Sequence, residues 1–84
     1  MNAKGHHTLE AAFGKPTWAD IPWADIEALF VGLGAEVSEG SGSRVRISLS
    51  GVRYVYHRPH PERTACKGAV ETAREHLTRA GVKP

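Results

Sequence analysis

With one cysteine, Cys66, the sequence has no means of closing an intrachain disulfide. Its five histidines are scattered without the spacing of a zinc site, so no metal is expected, and no motif for a small-molecule cofactor is present. No apolar run approaches the ~18 residues that span a bilayer. The segment MNAKGHHTLEAAF lacks the apolar core and small-residue cleavage site of a secretory leader. These absences predict a soluble chain in a reducing cytoplasm, away from membranes. At 84 residues the chain suffices for one domain and is too short for two. A domain of this size buries only about 60% of its unfolded surface, which argues against a deep catalytic cavity. Aromatics are also few. Trp18 and Trp23 read as core or seam residues rather than as a platform for stacking bases.

Charge is present, and it is unevenly placed. Residues 1–39 hold two lysines and six acids, a balance of −4, whereas residues 40–84 hold nine Lys or Arg and three Glu, a balance of +6. The basic half is a candidate surface for a polyanion, with an ordinary solvated face as the alternative.

Residues 1–19 read as a lead-in segment, with a short helical turn near Thr8–Phe13 ended by Gly14 and Pro16 and docked loosely through Leu9 and Phe13. The domain proper is placed at 20–84. Trp23, Ile26, Leu29, Phe30 and Leu33 form one helical stripe, with a cap at Asp20 or Ile21, Pro22 in the first turn and Gly34 as the stop. Three strands follow, at 35–39, 44–49 and 52–57, then a break at Pro59-His60-Pro61. A last helix over 67–80 has Val70, Ala73, Leu77 and Ala80 on its buried side, and Gly81 ends it.

A two-residue turn at Ser50-Gly51 fixes the register of the hairpin. Leu49, Ile47 and Val45 then face Val52, Tyr54 and Tyr56 on one apolar side. Ser48, Arg46 and Arg44 face Arg53, Val55 and His57 on the other. The fold class is α+β: an α-β-β-β-α order whose three-stranded antiparallel sheet carries two helices on its apolar face and leaves a basic face open. In front of Arg44 lies the Gly/Ser loop of Gly40, Ser41, Gly42 and Ser43, which admits close backbone approach.

The stretch Ile21-Pro22-Trp23-Ala24-Asp25-Ile26-Glu27-Ala28-Leu29, the loop Gly40-Ser41-Gly42-Ser43, the pair His60-Pro61 and Lys67-Gly68-Ala69-Val70 together resemble the HicA family of toxins, over residues 8–82. The resemblance implies a fold like that of a double-stranded RNA-binding domain. It also implies an mRNA interferase, a ribonuclease that cuts mRNA and is neutralised in complex with a HicB antitoxin. In many members the loop ends Gly-Ser-His, and that histidine is catalytic; here it ends Gly42-Ser43-Arg44. An alternative reading follows, in which the chain binds RNA or antitoxin without cleaving.

Metal-independent cleavage of RNA needs a base for the 2′-OH, a stabiliser for the phosphorane and an acid for the leaving oxygen. Arginine cannot act as a base. Arg44 is therefore assigned as phosphate clamp and His57, opposite it in the hairpin, as general base. His60, in the His-Pro motif, is the second catalytic candidate. Arg46, Arg53, Arg58, Arg63 and Lys67 are the remaining phosphate contacts expected, the last at a helix N-terminus that favours anions. His76 reads as a partly exposed surface residue, and Tyr54 and Tyr56 as core-facing.

Overall fold

The structure, a computed structural model, describes residues 3–14, 21–58 and 64–83. Its elements in chain order are α1 (Ala3–Ala12), β1 (Ile21–Pro22), α2 (Trp23–Gly32), β2 (Glu36–Glu39), β3 (Arg44–Leu49), β4 (Val52–His57), β5 (Thr64–Ala65) and α3 (Lys67–Arg79). The larger sheet is antiparallel, in the order β2-β3-β4.

The hairpin register is the one the sequence predicts, from Leu49 opposite Val52 to Arg44 opposite His57. Ser50 and Gly51 both take positive φ, 51° and 81°. This is the backbone of a type I′ turn, whose twist matches that of the strands it joins. On β2 the register continues outward: Glu36 opposes Ser48, Ser38 opposes Arg46 and Glu39 opposes Val45.

One face of this sheet supplies Val45, Ile47, Leu49 and Tyr56 to the core. There they meet Trp23, Ile26, Leu29 and Phe30 of α2, and Val70, Ala73 and Leu77 of α3. Phe30, Val45, Val70 and Leu77 are wholly inaccessible. Both helices end as expected, with backbone bonds from Ala35 N–H to the Phe30 carbonyl and from Val82 N–H to the Leu77 carbonyl closing around Gly34 and Gly81.

Several features differ from the expectations. The helical segment near the start is longer than a turn, and α1 packs on both α2 and α3 with Thr8, Leu9 and Ala12 buried. The Arg74 guanidinium, reaching from α3, donates to the carbonyls of Ala12 and Gly14 at 2.9 Å each, satisfying the end of that helix. Lys4 pairs with Asp25 of α2 at 3.1 Å. Pro22 stands at the N-cap of α2 rather than inside it, because Ile21 and Pro22 are extended and pair with Ala65 and Thr64 in a two-residue ladder.

His76 is not a surface residue: it is fully buried and completes the stripe of Val70, Ala73 and Leu77. Its Nε2 lies 2.8 Å from the Val52 carbonyl and its Nδ1 2.9 Å from the Tyr56 hydroxyl. A carbonyl only accepts, so Nε2 carries the proton and Nδ1 accepts from Tyr56. Rings of Tyr54 and Phe30 pack against it, with centroids at 4.5 and 4.8 Å. Burial holds the imidazole below its ordinary pKa, with the Val52 bond opposing in part. Burial likewise pushes the Tyr56 phenol up.

Candidate nucleic-acid interface

The outer face of the sheet is built by alternation alone. Residues that leave their neighbours facing the core must themselves face away, so β2, β3 and β4 present three transverse rows. One row is Glu36, Ser48 and Arg53; the next is Ser38, Arg46 and Val55; the third is Arg44 and His57. All of these are exposed except Ser48, which is half-buried. No described helix covers this face, whereas both α2 and α3 lie on the other.

Arg44 and His57 are directly opposed, which sets their Cβ atoms about 4.5–5.5 Å apart. Their position is held by the loop in front of them. Gly40 N–H donates to the Arg44 carbonyl at 2.9 Å, Arg44 N–H to the Ser41 carbonyl at 3.2 Å, and Arg58 N–H to the Ser43 carbonyl at 2.9 Å. The loop of Gly40, Gly42 and Ser43 is thus closed upon Arg44 rather than extended over the face. A Cβ at Gly40 would meet the Arg44 Cβ at 3.3 Å, so glycine there keeps the arginine in place.

Between Glu36 and Arg53 lies a depression of about 440 Å³, lined by Glu36, Ser38, Arg46, Ser48 and Arg53 together with Val37 and Ile47. A smaller cleft of about 130 Å³ between α1 and α2 is mainly apolar and lies away from the arginines.

The predicted residues are not all in one place. Arg44, Arg46, Arg53 and His57 share the open face. Arg58 does not: alternation past His57 turns it to the opposite side, where it pairs with Glu27 of α2 at 2.8 Å and with Glu39 of β2. Those two carboxylates raise the pKa of its guanidinium. Glu27 also accepts from Trp23 Nε1 at 2.7 Å. Arg58 therefore ties helix to sheet edge, and its charge is engaged within the chain. Lys67 is exposed at the first position of α3. His60 and Arg63 lie outside the described residues.

Glu36 is the residue that the expected site omits. Its period-2 relation to Ser38 and its register opposite Ser48 place a carboxylate on a face otherwise basic. The signal was available in the strand pattern, although the pairing of β2 with β3 through a four-residue loop was needed to use it.

Among the described residues, no group of three or more His, Cys, Asp or Glu is placed to hold a metal ion, and no helix is long and apolar enough to cross a membrane. No family model, curated protein or solved structure matches this chain.

Proposed function

We propose that the chain is an RNA-binding endoribonuclease of the HicA-like toxin kind, acting on mRNA and held inactive by a HicB-like antitoxin that covers the same face. The observation that supports this reading is the cross-strand pair of Arg44 and His57 on an open sheet face, with Arg46 and Arg53 beside it. A set of exposed guanidinium groups on one face suits phosphate, since arginine presents a planar fork of donors and remains charged. RNA is read largely through shape and backbone charge, which a shallow face can provide.

In the proposed reaction His57 takes the proton of a ribose 2′-OH. The 2′-oxygen attacks phosphorus while Arg44 holds the non-bridging oxygens, and the bond from phosphorus to the 5′-oxygen breaks. The proton required by the leaving oxygen comes from the imidazolium so formed or from His60. The products are a 2′,3′-cyclic phosphate and a 5′-hydroxyl, and no cofactor is consumed. A partner with an acidic surface inhibits by occupying the face that phosphate needs.

A second reading, binding of RNA or antitoxin without cleavage, is favoured by Arg44 itself, which stands where the resembled family carries a proton-transfer group. Incubation of RNA with the protein in EDTA separates the two. The first reading expects cyclic-phosphate ends, lost by roughly 10²–10⁴-fold in His57→Ala with RNA binding retained. Binding without cleavage by the unaltered protein supports the second, and absence of RNA binding at low salt removes the first reading and leaves of the second only the binding of antitoxin.

A further inference from the structure

The depression at the β2 end of the open face has two chemically opposite walls. Glu36 and Arg53 occupy the two edges of one transverse row, with Ser48 between them. Two strand spacings separate them, about 9.6 Å. Neither is in an ion pair among the described residues, where the salt bridges are Lys4–Asp25 and those of Arg58 with Glu27 and Glu39. Val37 and Ile47 also line it, and Arg46 flanks it from the neighbouring row.

A carboxylate is ill suited to a phosphate-binding surface, because it repels what the arginines attract. It suits a base edge that presents donors. Guanine alone among the four RNA bases carries two adjacent donors on its pairing edge, N1–H and the N2 amino group, which match the two oxygens of a carboxylate. Adenine turns an acceptor, N1, to the same place; uracil flanks its one N–H with two carbonyls; cytosine offers an amino group beside an acceptor. The other exposed edge of guanine carries the acceptors O6 and N7, the pair that an arginine fork engages in bidentate fashion. A base lying over the depression also has the planar Arg46 guanidinium beside it for stacking.

We infer that the depression between Glu36 and Arg53 is a guanine-binding subsite, Glu36 accepting from N1–H and N2–H and Arg53 donating to O6 and N7. This inference rests on the reading of the open face as an RNA surface and adds a base preference to it. The row of Ser38, Arg46 and Val55 separates the subsite from Arg44 and His57. A strand whose guanine fills the depression thus passes its backbone over Arg46 toward the proposed cleavage pair.

The test uses fluorescein-labelled hexauridylates that carry one central guanosine, inosine, 7-deazaguanosine or adenosine, with 2′-fluoro sugars so that no 2′-OH is available for cleavage. Inosine lacks the N2 amino group and 7-deazaguanosine lacks N7, so each probe reports on one wall. The full chain should bind the guanosine probe on the order of tenfold more tightly than the adenosine probe. Glu36→Gln should erase the preference for guanosine over inosine while binding the adenosine probe as well as or better than before. Arg53→Gln should erase the preference for guanosine over 7-deazaguanosine. Equal affinity for all four probes, or an equal loss for all four in Glu36→Gln, overturns the guanine subsite and leaves phosphate binding standing. Failure of every probe to bind at low salt overturns the subsite together with the RNA reading beneath it.

Discussion

The two faces of the β2-β3-β4 sheet are made by the same three strands and the same period of two, yet they obey different physics. On the helix side Val45, Ile47, Leu49 and Tyr56 are nearly inaccessible, and the buried imidazole of His76 has both nitrogens satisfied. On the outer side three arginines, a glutamate and a histidine stand exposed, and Val55 keeps 55% of its surface in water. Stability resides on the first face, and the recognition proposed above is assigned to the second. A chain this small has little interior to spare, so an exposed face is where a proposed site has room.

The contrast is most easily broken at Phe30, which is wholly buried between α2 and the sheet. Phe30→Ala should cost about 3–5 kcal/mol in urea unfolding, much of what an 84-residue domain has. Val55→Thr on the outer face should stay within about 0.5 kcal/mol. Similar losses at the two positions would show that the outer face is covered in the free protein.

A second, smaller loss is expected at the Tyr56–His76 bond. Tyr56→Phe preserves the ring that packs against Trp23 and Phe30 but strands the Nδ1 acceptor, at about 1–3 kcal/mol. The same pair gives the core a pH dependence. Burial lowers the pKa of His76 in the folded state, so at acid pH the unfolded chain binds more protons than the folded one. The contribution is therefore complete above the ordinary value of 6.5 and declines as pH falls below it. Thermal unfolding at pH 7 and pH 5 should show a drop in Tm that is reduced in His76→Gln. An identical drop in that variant would place the titration elsewhere.

How much of this was legible depends on whether the determinant is local. The hairpin register could be read from alternating residues around a two-residue turn, and it brought Arg44 to His57 without any tertiary information. The side taken by Arg58 was equally legible: if Tyr56 faces inward, so does Arg58, and Glu27 and Glu39 await it there. His76 lay three residues beyond Ala73 on a stripe already recognised, and only its polarity argued against burial. By contrast, α1 has a weak apolar stripe of its own and is held by Arg74, sixty residues away in the chain. The ladder of β1 with β5 is two residues long. Neither leaves a periodic signal in the sequence.

On the outer face, the proposed phosphate contact should have a signature distinct from stability. Arg46→Ala should weaken binding to oligomers of every sequence and reduce the slope of log affinity against log salt by about 1, with no change in the urea midpoint. Arg58→Ala should do the reverse, lowering the midpoint by loosening α2 from the edge of β2 while leaving the salt slope as it was. If Arg58→Ala also flattened the slope, the assignment of that arginine to the pairs with Glu27 and Glu39 would fall, and with it the sharpest distinction between the two sides of the sheet.

The smallest effect is expected at the turn that aligns both faces. Ser50 has φ of 51°, in the left-handed region that a serine enters at a cost, and Gly51 follows at 81°. Asparagine tolerates that region better and, before glycine, is the preferred first residue of a type I′ turn. Ser50→Asn should therefore raise stability by about 0.5 kcal/mol and leave RNA affinity unchanged, because the partners Arg44 and His57 are set by register rather than by the serine side chain. The register itself is what matters: a slip of one residue in β4 would send Arg53, Val55 and His57 inward and Val52, Tyr54 and Tyr56 outward, exchanging the two faces at once. Stabilisation without altered binding is the result that a purely geometric role for the turn requires. A loss of binding in a more stable variant would mean that the Ser50 hydroxyl itself touches RNA.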